Sequence, residues 1–163
     1  MNTAYKDIAN LLQQLSIPFD IVEHPPVFTT EEADRFIEGI EGARTKSLFL
    51  TNKKKTAFYL LIMDDAKRLD MAQFKEIVGE SRIKMASAES LLEKTKLTPG
   101  SVSIFGLLNN IEKDIHVYFT KEVLSEARMS FHPNDNTKTL FLATTDLLKV
   151  VETLGYTYTI IDL

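Results

Sequence analysis

The stretch Arg44-Thr45-Lys46-Ser47-Leu48-Phe49-Leu50 places a lysine at the mouth of an apolar run with the composition of a β-strand. Ser47 to Thr51 and Ala57 to Met63 both favour strands, and the polar residues between them predict a hairpin with a lysine-rich tip. Phe58 to Met63 is apolar without alternation, which is typical of a central strand covered on both faces. The sequence therefore predicts a sheet built around this hairpin.

Helical and extended patterns surround the hairpin on both sides. Apolar spacing, capping residues and glycine or proline stops predict helices over residues 3–16, 30–38, 70–79 and 87–94, and a last helix that ends at Gly155. Further strands are predicted over residues 19–23, 102–105, 116–119, 139–143 and 156–161. Because helices and strands do not alternate strictly, the expected fold class is α/β, with a curved, mixed, largely antiparallel sheet flanked by helices.

Length and composition narrow the class of protein. A chain of 163 residues can bury a sizeable core, so we expect a single domain over residues 1–163. No apolar run approaches the ~20 residues of a membrane helix, and the N-terminus lacks a signal-peptide pattern, so cytoplasmic residence is the default expectation. Cysteine is absent, which excludes disulfides, thiolate zinc sites and a cysteine nucleophile supplied by this chain.

The charge distribution limits the contact with nucleic acid. A protein that wraps long nucleic acid carries a basic footprint, whereas this chain has a formal net charge of −4. It can therefore grip at most a short end of such a molecule. An acidic segment over residues 31–41 is followed by a basic one over residues 44–55, and the alternative that both are solvated faces stays open.

Recognised catalytic motifs are missing from the sequence. There is no P-loop, dinucleotide fingerprint, HExxH or G-x-S-x-G pattern. His24, His116 and His132 are too scattered to suggest a metal site, so we expect no metal. His116 lies within a strand and favours a structural role, whereas His24 can either line a pocket or cap a loop.

Three segments stand out as candidates for chemistry. Lys46 either extends into solvent or, at a cleft, binds a phosphate or polarises a carbonyl. The segment from Thr98 to Asn110 places Gly100 and Gly106 around two serines, which suits either main-chain donors for a carbonyl or a tight turn into a strand. Residues 131–137 form a polar turn that contains His132 and is either a surface turn or part of a site.

Together and in this order, the three segments resemble a known family. Thr-Lys-Ser-Leu-Phe-Leu, then Pro-Gly-Ser-Val-Ser-Ile-Phe-Gly-Leu, then Phe-His-Pro-x-x-Asn-Thr look like the free-standing prolyl-tRNA editing proteins of the YbaK/prolyl-tRNA synthetase insertion-domain superfamily. The resemblance covers nearly the whole chain. It implies hydrolysis of the ester of mischarged aminoacyl-tRNA, most often alanine on the proline tRNA, by a compact domain with a curved mixed sheet.

The resemblance also assigns residues. It implies that Lys46 is the family's essential catalytic lysine, that the segment from Gly100 to Gly106 lines the aminoacyl pocket, and that His132 is a pocket-side histidine. The residues expected to bind substrate are Ser47, Gly100, Ser101, Val102, Ser103, Ile104, Phe105, Gly106, His132 and Asn136. Three positions depart from the family pattern: Ser47 stands where many relatives have asparagine, Ile104 where many have proline, and Asn110 where many have aspartate.

Two functional hypotheses remain open at this point. The first is a trans-editing deacylase without cofactor that binds the tRNA acceptor end, acts on alanine or alternatively cysteine on the proline tRNA, and has prolyl-tRNA synthetase as a candidate partner. The second is a non-catalytic relative that binds tRNA or a synthetase, which the substitution at Ser47 keeps open. For the enzyme, we expect selection by volume with Ile104 as the gate, because it replaces a common proline.

Overall fold

The computed structural model describes residues 3–163, in which eight strands form one mixed sheet flanked by helices. The helices are α1 (Thr3–Gln14), α2 (Thr30–Phe36), α3 (Met71–Val78), α4 (Ala88–Thr95), α5 (Lys121–Leu124) and α6 (Thr144–Thr153), with a 3₁₀-helix at Ile104–Asn109. The strands are β1 (Asp20–Glu23), β2 (Ala43–Asn52), β3 (Phe58–Asp64), β4 (Ile83–Met85), β5 (Ile115–Thr120), β6 (Arg128–Phe131), β7 (Lys138–Ala143) and β8 (Tyr158–Ile161). Within residues 3–163, no helix is both long enough and apolar enough to cross a membrane.

The strand order is β1-β7-β6-β2-β3-β5-β8, and β4 pairs with β2 beside this path. Four of the strand pairs are antiparallel and three are parallel. The predicted α/β class with a mixed, mainly antiparallel sheet is therefore confirmed.

The predicted hairpin of β2 and β3 forms the centre of the sheet. At its tip the side chain of Asn52 accepts hydrogen bonds from the main-chain N–H groups of Thr56 and Ala57, and Lys55 adopts a left-handed conformation. All residues of β3 from Phe58 to Met63 are buried, which confirms the prediction of a central strand covered on both faces.

The two faces of the hairpin contribute to different apolar clusters. Phe49 of β2 packs into the larger cluster, with Leu12 of α1, Phe105 of the 3₁₀-helix and Val150 of α6. Its neighbour Leu50 packs into the smaller cluster, which includes Phe74 of α3. This alternation follows from the two-residue period of a strand, so successive side chains of β2 face opposite sides of the sheet.

The prediction of a strand over residues 102–105 is wrong. Ser103 instead begins the 3₁₀-helix, because its hydroxyl accepts the Phe105 N–H and its carbonyl accepts the Gly106 N–H. A bond from residue i to residue i+3 winds the chain into a tight turn and ends strand alternation. The sequence reading also missed the short strands β4 and β6 and the single-turn helix α5.

One edge of β2 is only partly covered. Along its other edge β3 pairs with Thr45 to Thr51 without a break. Along this edge β6 pairs with Ala43 and Arg44, and β4 pairs with Leu50 to Asn52. Between β6 and β4, no strand within residues 3–163 pairs with this edge of β2.

Candidate active site at the interrupted edge of β2

A cavity of about 300 Å³ opens where the edge of β2 is left uncovered. The residues that line it come from β2, from the ends of β4 and β6, from α4 and from two loops: Val27, Phe28, Thr29, Thr45, Lys46, Ser47, Phe49, Met85, Ala86, Leu91, Pro99, Gly100, Val102, Phe131 and His132. Most of its walls are apolar, and a lysine, a histidine and hydroxyl groups supply the polar lining. Such a mixture is typical of a site for a small organic ligand.

The main chain of β2 alternates its hydrogen-bonding groups between the two edges. The Asn52 N–H donates to Ala57 and the Arg44 carbonyl accepts from Asp65, so the even-numbered residues direct their polar groups to β3. The carbonyl of Phe49 instead accepts the Ala86 N–H next to β4. In an antiparallel pair this alternation is regular, so the N–H and C=O of Ser47 point into the gap between β6 and β4.

Lys46 lines the cavity from a half-buried position on β2. By strand alternation its side chain begins on the sheet face of Leu48 and Leu50, and its ammonium donates to the main-chain carbonyl of Lys67. A lysine has four rotatable bonds, so this ammonium can change its acceptor when another one is offered.

His132 lines the same cavity just beyond the end of β6. Its Nδ1 lies 3.0 Å from the carbonyl oxygen of Lys138. Because a carbonyl only accepts, Nδ1 carries the proton and donates it to this bond. Burial lowers the pKa of His132, so the ring is neutral at physiological pH and its Nε2 is left as an acceptor.

The loop before the 3₁₀-helix forms a third wall. The Ser101 N–H donates to the Thr98 carbonyl across a turn with Pro99 and Gly100 at its centre. Gly100 has a φ of +94°, as the third position of such a turn requires, and an added Cβ would meet only the ring of Phe28. Val102 follows the turn and faces the cavity.

The rest of this segment turns away from the cavity, which corrects the expectation that it lines the pocket. Ile104 is 1% exposed and Phe105 is fully buried, and both pack in the larger apolar cluster. An added Cβ at Gly106 would lie 2.9 Å from the Leu97 side chain, so this glycine allows close packing. Ile104 therefore does not gate the cavity, and Val102 is the wall residue of this segment.

Two asparagines of the turn after β6 fix the cavity walls from outside. The side-chain carbonyl of Asn134 accepts the hydroxyl of Ser103, and the side-chain amide of Asn136 donates to the Val27 carbonyl. The Val27 N–H in turn donates to the carbonyl of Asn136. Ser103 and Asn136, both expected to bind substrate, thus hold the loops that form the site but do not line it.

His24 lies beside the site, where it makes packing and hydrogen-bond contacts. Its Nε2 pairs with the hydroxyl of Thr139 at 2.9 Å, and its ring stacks on Phe36 with centroids 5.3 Å apart. It meets the ring of His132 edge-on at 6.1 Å. Of the two readings left open from sequence, the structure supports the loop anchor, because His24 does not line the cavity.

A pair of carboxyl groups lies behind His132. Asp34 and Asp65 line a second, much smaller cavity together with Thr45 and His132. Burial raises the pKa of Asp65 to about 8, and the hydrogen bond and negative charge of Asp34 add to this effect. The guanidinium of Arg44 opposes the shift, but it is bound by the carbonyls of Ile37, Ile40 and Gly42.

Five predicted site residues meet at the cavity: Lys46, Ser47, Gly100, Val102 and His132. The sequence reading missed several others, among them Phe28 and Met85 at the mouth. These side chains are 75% and 52% exposed, respectively. A signal for Phe28 existed, since it follows His24-Pro25-Pro26 in the extended loop that also supplies Val27. No sequence signal pointed to Met85, because β4 is a strand of only three residues.

Comparison with known proteins identifies the family of the chain. A sequence model of the aminoacyl-tRNA editing domain matches residues 24–150, so the chain belongs to the aminoacyl-tRNA editing domain family and is by class an aminoacyl-tRNA hydrolase. It is 35% identical over 153 residues to the prolyl-tRNA editing protein ProX of Acetoanaerobium sticklandii, with 93% of each chain covered.

Two further comparisons extend the likeness. The chain is 28% identical to the prolyl-tRNA synthetase associated domain-containing protein 1 of Danio rerio, over 96% of this chain and 86% of the other. Its fold matches the crystal structure of a protein proposed as a trans-editing enzyme for prolyl tRNA synthetase, with a TM-score of 0.78 at 19% identity. That match covers 100% of this chain and 98% of the other.

Proposed function

We propose that the chain is a trans-editing deacylase that hydrolyses the ester of alanine mischarged onto the proline tRNA. The observation that carries the proposal is the cavity at the uncovered edge of β2, where Lys46 and His132 face a small apolar enclosure. The similar protein ProX is a prolyl-tRNA editing protein, which supports the choice of tRNA. In the reaction, water adds to the ester carbonyl, and the terminal ribose oxygen leaves with a proton as free tRNA.

The dimensions of the cavity favour a small aminoacyl group. At about 300 Å³ it lies at the lower end of the range for ligand pockets, and it must hold part of the ribose as well. An editing site selects products that are small enough to enter it. The apolar walls from Val27, Leu91 and Val102 suit a methyl side chain.

Lys46 is the residue assigned to charge stabilisation. Negative charge develops on the carbonyl oxygen when water adds to the ester, and a cation near that position lowers the barrier. To meet such an oxygen, the ammonium of Lys46 must leave the Lys67 carbonyl. A neighbouring phosphate of the tRNA end is a second acceptor for the same group.

His132 is the residue assigned to orientation. Its neutral Nε2 accepts a hydrogen bond, so it can orient either the attacking water or a ribose hydroxyl. Neither role requires a protein nucleophile, which agrees with a sequence that has no cysteine and no G-x-S-x-G motif. The vicinal hydroxyl of the terminal ribose can assist the proton transfer.

Deacylation assays test the proposal directly. Proline tRNA charged with alanine, cysteine or proline is incubated with the wild-type protein, and we expect alanine to be released fastest. Lys46→Ala should lower this rate by ~10²–10³-fold, because it removes a stabiliser of the developing oxyanion. Lys149→Ala, at an exposed lysine of α6 outside the cavity, is the matched control and should retain the wild-type rate.

Two outcomes would contradict the proposal. A Lys46→Ala variant that melts like the wild type and hydrolyses within a few-fold of its rate would remove Lys46 from the chemistry. A wild-type protein that binds charged tRNA without hydrolysing any of the three esters would be a binding module instead.

A further inference from the structure

The main chain of Ser47 offers an unused pair of hydrogen-bonding groups to the cavity. Its N–H and C=O point away from β3, as the alternation along β2 requires. On that side β6 pairs no further than Arg44 and β4 begins only at Leu50, so no described strand pairs with Ser47 there. Ser47 lines the cavity, so these groups face the space that a ligand would fill.

An aminoacyl ester carries the complementary groups. In an antiparallel sheet a hydrogen-bonded residue exchanges two bonds with its partner, one through its own N–H and one through its own C=O. The α-ammonium and the ester carbonyl of an aminoacyl group are separated by the same single Cα atom. One aminoacyl group can therefore pair with Ser47 in the way a residue of a missing strand would.

We propose that Ser47 binds the aminoacyl group through its main chain, as a single residue added to the open edge of β2. Its N–H donates to the ester carbonyl oxygen, and its C=O accepts from the α-ammonium. The inference rests on the proposed function, and it adds how the reacting ester is positioned. This mode of recognition is strand addition reduced to one residue.

The pairing also sets the direction of the substrate side chain. Directly opposite residues of an antiparallel pair place their side chains on the same face of the sheet. The side chain of Ser47 shares its face with Phe49, which packs in the larger apolar cluster together with Leu91. The methyl group of a bound alanine would therefore point at the apolar walls.

The test compares two substitutions at Ser47. Ser47→Pro removes the N–H, and proline is tolerated where the N–H of a strand does not face another strand. Ser47→Ala keeps the N–H and removes only the hydroxyl, so it measures the contribution of the side chain to kcat/KM. With alanine on proline tRNA, we expect Ser47→Pro to lower kcat/KM by ~10²-fold or more, and by at least about tenfold beyond Ser47→Ala. Equal losses in two variants with wild-type melting would overturn the inference.

A second measurement uses only the wild-type protein, so it stands even if Ser47→Pro does not fold. Propionyl-tRNA lacks the α-ammonium but otherwise matches alanyl-tRNA. After each rate is divided by spontaneous hydrolysis of the same ester, we expect the propionyl ester to be about tenfold or more slower, as for a lost charged hydrogen bond. Equal normalised rates would overturn the contact with the Ser47 carbonyl, whereas hydrolysis of neither ester would contradict the proposed function itself.

Discussion

The two edges of β2 differ in how completely they are paired. On one edge β3 pairs with every residue from Thr45 to Thr51. On the other edge β6 and β4 cover only the two ends of the strand and leave Ser47 between them. A single strand thus serves as the centre of the core along one edge and as the floor of a cavity along the other.

The difference shows how a rigid strand can hold main-chain binding groups in fixed directions. The pairing with β3 holds β2 in place along its continuous edge. The side chains of β2 also pack into both apolar clusters. Main-chain groups at the interrupted edge are therefore fixed in direction before a ligand arrives. Groups that are already oriented lose little entropy on binding, which favours them over groups on a mobile loop.

Hydrogen exchange of the ligand-free protein gives the largest expected contrast between the two edges. The N–H groups of Lys46 and Leu48 face β3 and should exchange only through large-scale unfolding. The N–H of Ser47 faces the cavity and should exchange by local access of water. We expect its protection to be smaller by about 10³-fold or more, given typical unfolding free energies.

Residue-resolved measurement by NMR checks this alternation within one strand. The N–H of Thr51 serves as a control, because it faces the same edge as Ser47 but lies where β4 pairs with β2. If Ser47 were as protected as Leu48, a strand or a bound group would cover the edge, and the site described above would be closed.

The continuous edge could be predicted from the sequence, because it depends on local patterns. The apolar run of β3 and the polar tip between Asn52 and Ala57 identify both strands and their antiparallel pairing. The resemblance to a known family predicted that three separate segments contribute to one site. Lys46, Gly100 and His132 are brought together as the order of the motifs implied.

The interrupted edge could not be predicted, because it depends on where distant segments end. β4 has three residues and β6 has four, and neither shows a long enough alternation to be recognised. The prediction that Ile104 lines the cavity was wrong for a different reason. Its apolar neighbours matched a strand, but the hydroxyl of Ser103 caps a 3₁₀-helix, and that local hydrogen bond turns Ile104 into the core.

Selectivity offers a prediction of intermediate size. Val102 lines the cavity, so Val102→Ala should enlarge the space for the substrate side chain. One methylene more or less in a hydrophobic pocket is worth ~1–3 kcal/mol, or about 10- to 200-fold in rate. We therefore expect the ratio of proline to alanine release from charged proline tRNA to rise by at least about tenfold.

The matched control for the wall is Ile104→Val. This change removes one methyl from the core, costs ~0.5–1.5 kcal/mol of stability and leaves the cavity lining intact. The ratio of the two rates should therefore stay at the wild-type value. If Ile104→Val moved the ratio and Val102→Ala did not, the gate predicted from the sequence would be restored.

The last expected effect concerns the pH dependence of stability at Asp65. Its N–H extends the pairing of β3 with β2 by donating to Arg44, while its carboxyl lies in the small cavity behind His132. Because burial and Asp34 raise its pKa to about 8 from an ordinary value of 3.8, the folded protein holds a proton that the unfolded chain releases. Between about pH 4 and pH 8, the free energy of unfolding should therefore fall as pH rises.

Two substitutions separate the causes of this slope. Asp65→Asn keeps the shape of the side chain and removes the titration, so the unfolding free energy of this variant should depend less on pH over the same interval. Asp34→Asn removes the negative neighbour but not the burial, so its slope should lie between those of the wild type and Asp65→Asn. Urea unfolding followed by circular dichroism at several pH values gives the three slopes. Parallel curves would show that the carboxyl of Asp65 ionises in the folded protein as it does in the unfolded chain, and that the carboxyl pair behind His132 holds no proton at neutral pH.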